Sequence, residues 1–353
     1  MPSTNSFIVS GLGSYVQENR DLLLKNFALV GTETRRRISL QTGVKKDAHI
    51  NLLDITAVLQ DGSSCGFEAN SYGTLTQRTI STAPVKVNLQ ICDKTLLGKY
   101  AEYLVRVNAT ENDCPFEQYV IDGLVAEINK AIEKLIWQGD TSQTSDASIK
   151  WIDGFLEIAS DDLASGNKVN ISSGASAYAG ILAVYNKLSE EALERDPEIY
   201  VAPAIYRAFL QDMVALNYYH YAGPDAAYPN EFFVPGTNVK VVKTPGLAGS
   251  LKILGTFPRN LFYGCDMEGD AEDIDIWWSQ DDRVWKFAAE WNCGVQIAFP
   301  AHAVLGTFAA APVAVTGVNA ALASIATSND AIADVLDDVH DTTNKAITTK
   351  AAA

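Results

Sequence analysis

Gly62-Ser63-Ser64-Cys65-Gly66 satisfies G-x-S-x-G, with Ser64 in the nucleophile's place. That pattern makes a nucleophile only where a strand delivers the serine into a sharp turn and a helix follows. Here FEANSYG follows, which has no helical spacing, so a β-rich serine hydrolase using Ser64 is the remotest of three readings. His49, His220, His302 and His340 are scattered, no two at metal-ligand spacing. The five cysteines, Cys65, Cys92, Cys114, Cys265 and Cys293, are odd in number and far apart along the chain, which argues against a disulfide framework and a zinc site. They are expected as buried reduced thiols. The run Asp266, Glu268, Asp270, Glu272, Asp273, Asp275 can hold calcium or be a solvated connection; it lacks the glycine placement and closing glutamate of an EF-hand loop. No glycine loop follows a strand to cradle phosphate, since Gly11 and Gly13 lie too near the start. No catalytic, cofactor-binding or metal residue is therefore assigned, no cofactor is expected, and the chain reads as a structural or interaction protein rather than an enzyme.

Composition narrows the classes further. The chain has 353 residues, 47% of them hydrophobic, ample for one or two packed domains. A net charge of −16 opposes broad attraction to nucleic acid or to an anionic membrane. The opening MPSTNSFIVSGLGSY has no basic start before an apolar core, and no apolar run approaches the roughly eighteen residues of a membrane span, so a soluble cytosolic product is expected.

The element best placed to organise the rest is CPFEQYVIDGLVAEINKAIEKLIWQG, Cys114 to Gly139. Asp113 or Cys114 can cap it, Pro115 suits a first turn, and Gly139 is expected as a left-handed stop. Phe116, Val120, Leu124, Ile128, Ala131 and Leu135 form a stripe that Ile121, Val125, Ile132 and Ile136 broaden, so burial on more than one side is expected. Such a helix runs roughly 36 Å.

Before it, residues 1–45 have too few regularly spaced apolar residues for a core and read as an arm. Its Arg35-Arg36-Arg37 is either a solvated face or a contact to an acidic partner or a nucleic-acid backbone. From Ile50 to Leu97 the pattern turns to short β runs, LLDITAVLQ, SCGFEANSYGTLTQRTIST and VKVNLQIC, which fit a long two-stranded ribbon. A ribbon is marginal alone and needs something to pack on.

After the helix, WIDGFLEIA turns at Asp153-Gly154. Tyr178, Ile181, Leu182, Tyr185 and Leu188 recur at helical spacing, Ile199-Tyr200-Val201 reads as a strand, and Pro203 opens a helix burying Phe209, Met213 and Leu216. The loop YAGPDAAYPNEFFVPG has the composition of a partner-contact loop. Residues 239–299 read as neighbouring strands of one antiparallel sheet, with Trp277, Trp278, Trp285 and Trp291 buried and Asp281-Asp282 at a hairpin turn. Beyond Gly306, Val318, Leu322, Ile325, Asn329, Ile332, Leu336 and Val339 trace a heptad seam about three heptads long. A self-associating coiled coil, a docked helix and a mobile tail all remain open for it.

In this order the elements resemble the major capsid proteins of tailed bacteriophages, the HK97-like fold, over nearly all of residues 1–300. Ile136-Trp137-Gln138-Gly139-Asp140, Asp153-Gly154-Phe155, Tyr200-Val201-Ala202-Pro203 and Asn260-Leu261-Phe262-Tyr263-Gly264-Cys265-Asp266 before the tryptophan strands carry the likeness. Cys65-Gly66-Phe67, Thr76, Arg78 and Cys92 also resemble capsid proteins of phages of Bacteroides-type hosts, including crAss-like phages.

The resemblance implies an α+β fold with N-arm, extended β-hairpin E-loop, long spine helix, peripheral antiparallel sheet and α/β axial domain. Its divisions would be a 1–45 arm, a 46–95 E-loop, a 96–174 peripheral domain with spine helix 115–138, a 175–250 axial domain, a 251–305 return to the peripheral domain, and a 306–353 Ala-rich tail outside the likeness. It implies self-assembly into pentamers and hexamers of an icosahedral head enclosing double-stranded DNA, held with weak contacts if any. Portal, scaffolding and decoration or head-fibre proteins would be the partners, and the virion, assembled in host cytoplasm away from membranes, the location. The alternative is an encapsulin-like nanocompartment shell. In two respects the chain departs from some family members. No lysine lies between Lys46 and Lys86 to make a covalent E-loop crosslink, and scaffolding is expected from a separate protein rather than from a fused domain before the ribbon.

Overall fold

The computed structural model describes residues 34–55, 59, 73–92, 116–144, 146, 148–216, 231–266, 273–282 and 284–313. Ser64 and its motif, residues 1–33 of the arm, most of the partner-contact loop, the centre of the acidic run and the heptad seam lie outside the described residues.

Helix α1, Phe116–Gln138, forms where the stripe predicts it. Among its described side chains Ile128, Leu135, Ile136 and Trp137 are buried, Leu124 and Ile132 only partly, and Ala131 is exposed, contrary to the expected stripe. Trp137, missing from that stripe, is wholly enclosed, with ring centroids 5.3 Å from Phe155 and 5.0 Å from Tyr200. Gly139 is not a left-handed stop, for it is absent from the positive-φ positions. It is required by crowding: Gly154 N–H donates to Gly139 O at 2.9 Å, and a Cβ on Gly139 would stand 2.3 Å from the Ile152 carbonyl oxygen. Here α1 is stapled to α2, Phe155–Asp162, which buries Phe155, Leu156 and Ala159.

Two sheets share the core. In the five-stranded one, β1 (Ser39–Gln41) runs parallel to β10 (Leu261–Cys265), and β10 pairs antiparallel with the long β12 (Val284–Ile297). β12 also takes β11 (Asp273–Ser279) and β4 (Ala83–Cys92) as antiparallel neighbours. The six-stranded sheet has the order β5 (Lys168–Ile171), β13 (Val304–Phe308), β9 (Lys252–Thr256), β6 (Glu198–Val201), β8 (Lys240–Lys243), β7 (Glu231–Phe233). Strand β6 is buried along its whole length, as a central strand covered on both faces must be. From it the chain passes through α5, Pro203–Ala215, to the parallel β8; Pro203 opens α5, and Ile205, Tyr206, Phe209 and Met213 are its buried face, with Leu216 half-buried. Helix α3, Ala177–Tyr185, is capped by Ser176 Oγ and packs on α5 through Tyr178 and Phe209.

Residues 239–299 therefore do not form one antiparallel sheet: β8 and β9 belong to the six-stranded sheet, β10 to β12 to the other. β9 and β10 are both short apolar strands, and local composition carries no record of which sheet receives a strand. The hairpin at Asp281-Asp282 is present between β11 and β12, but Trp277 is 46% exposed. Residues 306–308, expected in the tail, complete the buried strand β13. Among the described residues no helix is long and apolar enough to cross a membrane.

Candidate functional site: the arm joint and the ribbon

The two-stranded ribbon consists of β2, Asp47–Ile55, and β3, Gly73–Ser81, antiparallel with Asp47 opposite Ser81 and Ile55 opposite Gly73. VKVNLQIC, expected to continue it, lies in β4 against β12 instead, because Val85 and Val87 find the core there. One ribbon face carries Ala48, Ile50, Leu52 and Ile80, with Ile50, Leu52 and Ile80 packing with Ala298. The other face pairs His49 with Thr79 at 3.1 Å, Asn51 with Gln77 at 3.0 Å, and Leu53 with Leu75. Leu53 is 55% and Leu75 73% exposed, an apolar cross-strand pair held in water. Arg78 fixes the ribbon's base by donating to Asp162 at the end of α2 and, at 3.0 Å, to Gln296 of β12; Gln296 in turn donates to Thr79 O at 2.9 Å.

The arm enters where the sheets and α1 converge. Trp137 Nε1 donates to Thr34 Oγ1 at 2.8 Å, and that hydroxyl donates to buried Glu133 Oε1 at 2.6 Å. Arg37, open to either reading in the sequence, is mostly buried and donates to Glu198 of β6 and Glu231 of β7, while Tyr200 Oη donates to Glu198 Oε2 at 2.9 Å. Desolvation pulls the Arg37 pKa down, but the two carboxylates and Tyr200 more than offset it and the net shift is upward. Burial first, then Glu198, pushes the Tyr200 phenol well above its ordinary range. Exposed Arg36 lines a cleft of about 650 Å³ with Arg37, Ser39, Glu198, Glu231 and Arg259. The arginine run is thus partly an internal clamp: Arg37 is consumed in tying the arm to the six-stranded sheet.

His302 shows what sequence spacing misses. Its Nδ1 lies 2.8 Å from Ser189 Oγ and its Nε2 3.1 Å from Glu191 Oε2, residues over a hundred positions away. Ser189 Oγ also accepts from Ala192 N as the cap of α4, Glu190–Leu193, and the histidine ring packs near Phe257 and Phe299. The arrangement ties α4 to the segment before β13. His220 and His340 lie outside the described residues. Asp266 is buried, Asp273 and Asp275 are strand residues of β11, and among the described residues no three His, Cys, Asp or Glu groups gather as a metal site. Cys265 and Cys293, distant in sequence, stand opposite each other in the β10–β12 ladder.

A 13% identical capsid chain of the satellite phage P4 procapsid, solved with its size determination (Sid) protein, covers 87% of this chain and 98% of its own length at a TM-score of 0.56. The chain has the HK97-like capsid fold. A structure from Gordonia phage Cozz covers 78% of this chain and 85% of its own at 12% identity and a TM-score of 0.50. The SrpI encapsulin of Synechococcus elongatus PCC 7942 matches at 12% identity over 79% and 88%, with a TM-score of 0.46. No protein-family model matches, and no curated protein is similar.

Proposed function

We propose that this chain is the major subunit of a tailed-phage head, closing into pentamers and hexamers of an icosahedral shell around double-stranded DNA. The observation that carries the reading is the HK97-like fold, matched over 98% of the P4 procapsid chain. The exposed Leu53–Leu75 pair supports it, since a two-stranded ribbon bearing apolar side chains in water needs a neighbouring subunit to cover them. Many modest interfaces of this kind sum into a closed particle.

Residues 1–45 are the arm and the β2–β3 ribbon is the E-loop, which crosses a neighbour. The six-stranded sheet with α3 and α5 serves as the axial domain meeting the symmetry axes. The five-stranded sheet with α1 is the peripheral domain, and the chain beyond Phe308 leads into the tail. Negative charge suits a wall that holds DNA without sticking to it. Portal, scaffolding and decoration or head-fibre proteins are the expected partners, host cytoplasm the place of assembly, and phages of Bacteroides-type hosts, including crAss-like phages, the expected source on Cys65-Gly66-Phe67, Thr76, Arg78 and Cys92.

The test is electron microscopy and sedimentation of the expressed full-length chain with analysis of the particle's contents. Shells, pentamers or hexamers are expected, with nucleic acid in particles purified from infected cells. A clean monomer overturns the reading, and an enclosed enzyme in place of DNA converts it to a nanocompartment.

A further inference from the structure

We propose that Cys265 and Cys293 form a redox-convertible pair that closes into a cross-strand disulfide once the chain leaves a reducing compartment. The geometry comes from the ladder. Ala298 N donates to Asn260 O at 3.0 Å, and the register pairs Phe262 with Gln296 and Gly264 with Gly294, so the even-numbered positions of β10 turn their backbone groups toward β12. Cys265 is odd, and its carbonyl points the other way, accepting from Val44 N at 3.2 Å on the arm's side. Cys265 and Cys293 are therefore a non-hydrogen-bonded antiparallel pair. Such pairs hold their Cα atoms about 4.5 Å apart, within the roughly 4.4–6.8 Å that a disulfide spans. Directly opposed residues share a face, and both side chains are buried on the core face, at 1% and 0% exposure.

The neighbourhood bears on reactivity. Burial pushes the Cys293 thiol up to about 12, so it is a poor nucleophile. Arg35 interacts electrostatically with Cys265, so Cys265 is assigned as the attacking sulfur. The oxidant is a small-molecule disulfide. The Cys265 thiolate attacks one of its sulfurs, breaking that S–S bond and expelling one thiol. Cys293 then loses its proton, attacks the mixed disulfide at the Cys265 sulfur, and expels the second thiol. Two protein thiols are oxidised, one disulfide is reduced to two thiols, and the new bond joins β10 to β12 around residues 266–292. The pairing follows from the ladder alone, so it stands or falls separately from the shell reading.

To test it, the purified full-length chain is incubated at pH 8 with excess oxidised glutathione across a series of sub-denaturing urea concentrations, so that burial does not hide the thiols from the oxidant. It is then quenched in acid, denatured, alkylated and digested without reductant. A peptide linking Cys265 to Cys293, abolished by dithiothreitol, is expected, together with an oxidant-dependent rise in the thermal midpoint that the Cys265→Ser/Cys293→Ser double variant does not show. Both thiols recovered alkylated at every urea concentration, linkage of either to Cys65, Cys92 or Cys114, or an unchanged midpoint on oxidation overturns the proposal.

Discussion

Gly264 and Gly294 face each other across the β10–β12 ladder, and the end of the ribbon's second strand lies directly on them. A Cβ on Gly294 would stand 2.2 Å from the Ser81 carbonyl oxygen, and one on Gly264 3.0 Å from Ile80 Cγ2. The ribbon can rest this low on the sheet only because neither residue has a side chain. Gly294→Ala drives a methyl into the Ser81 backbone and is expected to cost about 1–3 kcal/mol, read from denaturant midpoints. Gly123, within α1, has nothing within 4 Å of its would-be Cβ, so Gly123→Ala is expected to stabilise by roughly 0.5–1 kcal/mol. Equal effects at the two sites would mean that the ribbon does not press on the sheet.

Arg37 is the second testable joint. Replacing it with Met leaves buried Glu198 without its cation, and removing one partner of a buried pair costs about 3–5 kcal/mol. Adding Glu198→Gln should return part of that loss, and a double-mutant cycle in urea measures the coupling. Strict additivity would show that the pair does not hold the arm.

Leu53→Asp and Leu75→Asp alter exposed positions and should change subunit stability by no more than about 0.5 kcal/mol. On the proposed function they should nevertheless block shell formation in sedimentation. Normal shells from the double variant would remove this ribbon face from the interface.

Stability should fall at alkaline pH. In the unfolded chain the Cys293 thiol ionises near its ordinary value of 9.0, but folded only near about 12, so the unfolded state loses its proton first. The stabilisation is fully present below pH 9.0 and is lost as pH rises toward 12. Tyr200 acts in the same sense at higher pH, because burial also raises its pKa. Urea midpoints between pH 8 and 11 should fall less steeply for Cys293→Ser than for the wild type, and parallel slopes would refute the assignment.

Boiling assembled particles in SDS with reductant should give a single monomer band, because no lysine lies between Lys46 and Lys86 to supply an E-loop crosslink. A ladder of covalent multimers would contradict this.

The sequence by itself determined the local elements. The apolar spacing of α1, Pro203 at the start of α5, the hairpin at Asp281-Asp282 and the alternation of the β segments all follow from periodicity and turn chemistry, which act within a few residues. Their order along the chain was enough to indicate the HK97-like fold. What only the tertiary structure decided is which strand joins which sheet, because β9 and β10 are equally short, apolar and buried yet enter different sheets, and strand pairing is a long-range choice. The same holds for Arg37, which looks like any exposed cation until two glutamates from β6 and β7 close on it, and for Ser189 with His302. Cys265 and Cys293 are separated by a whole hairpin strand and become neighbours only through the register of β10 on β12.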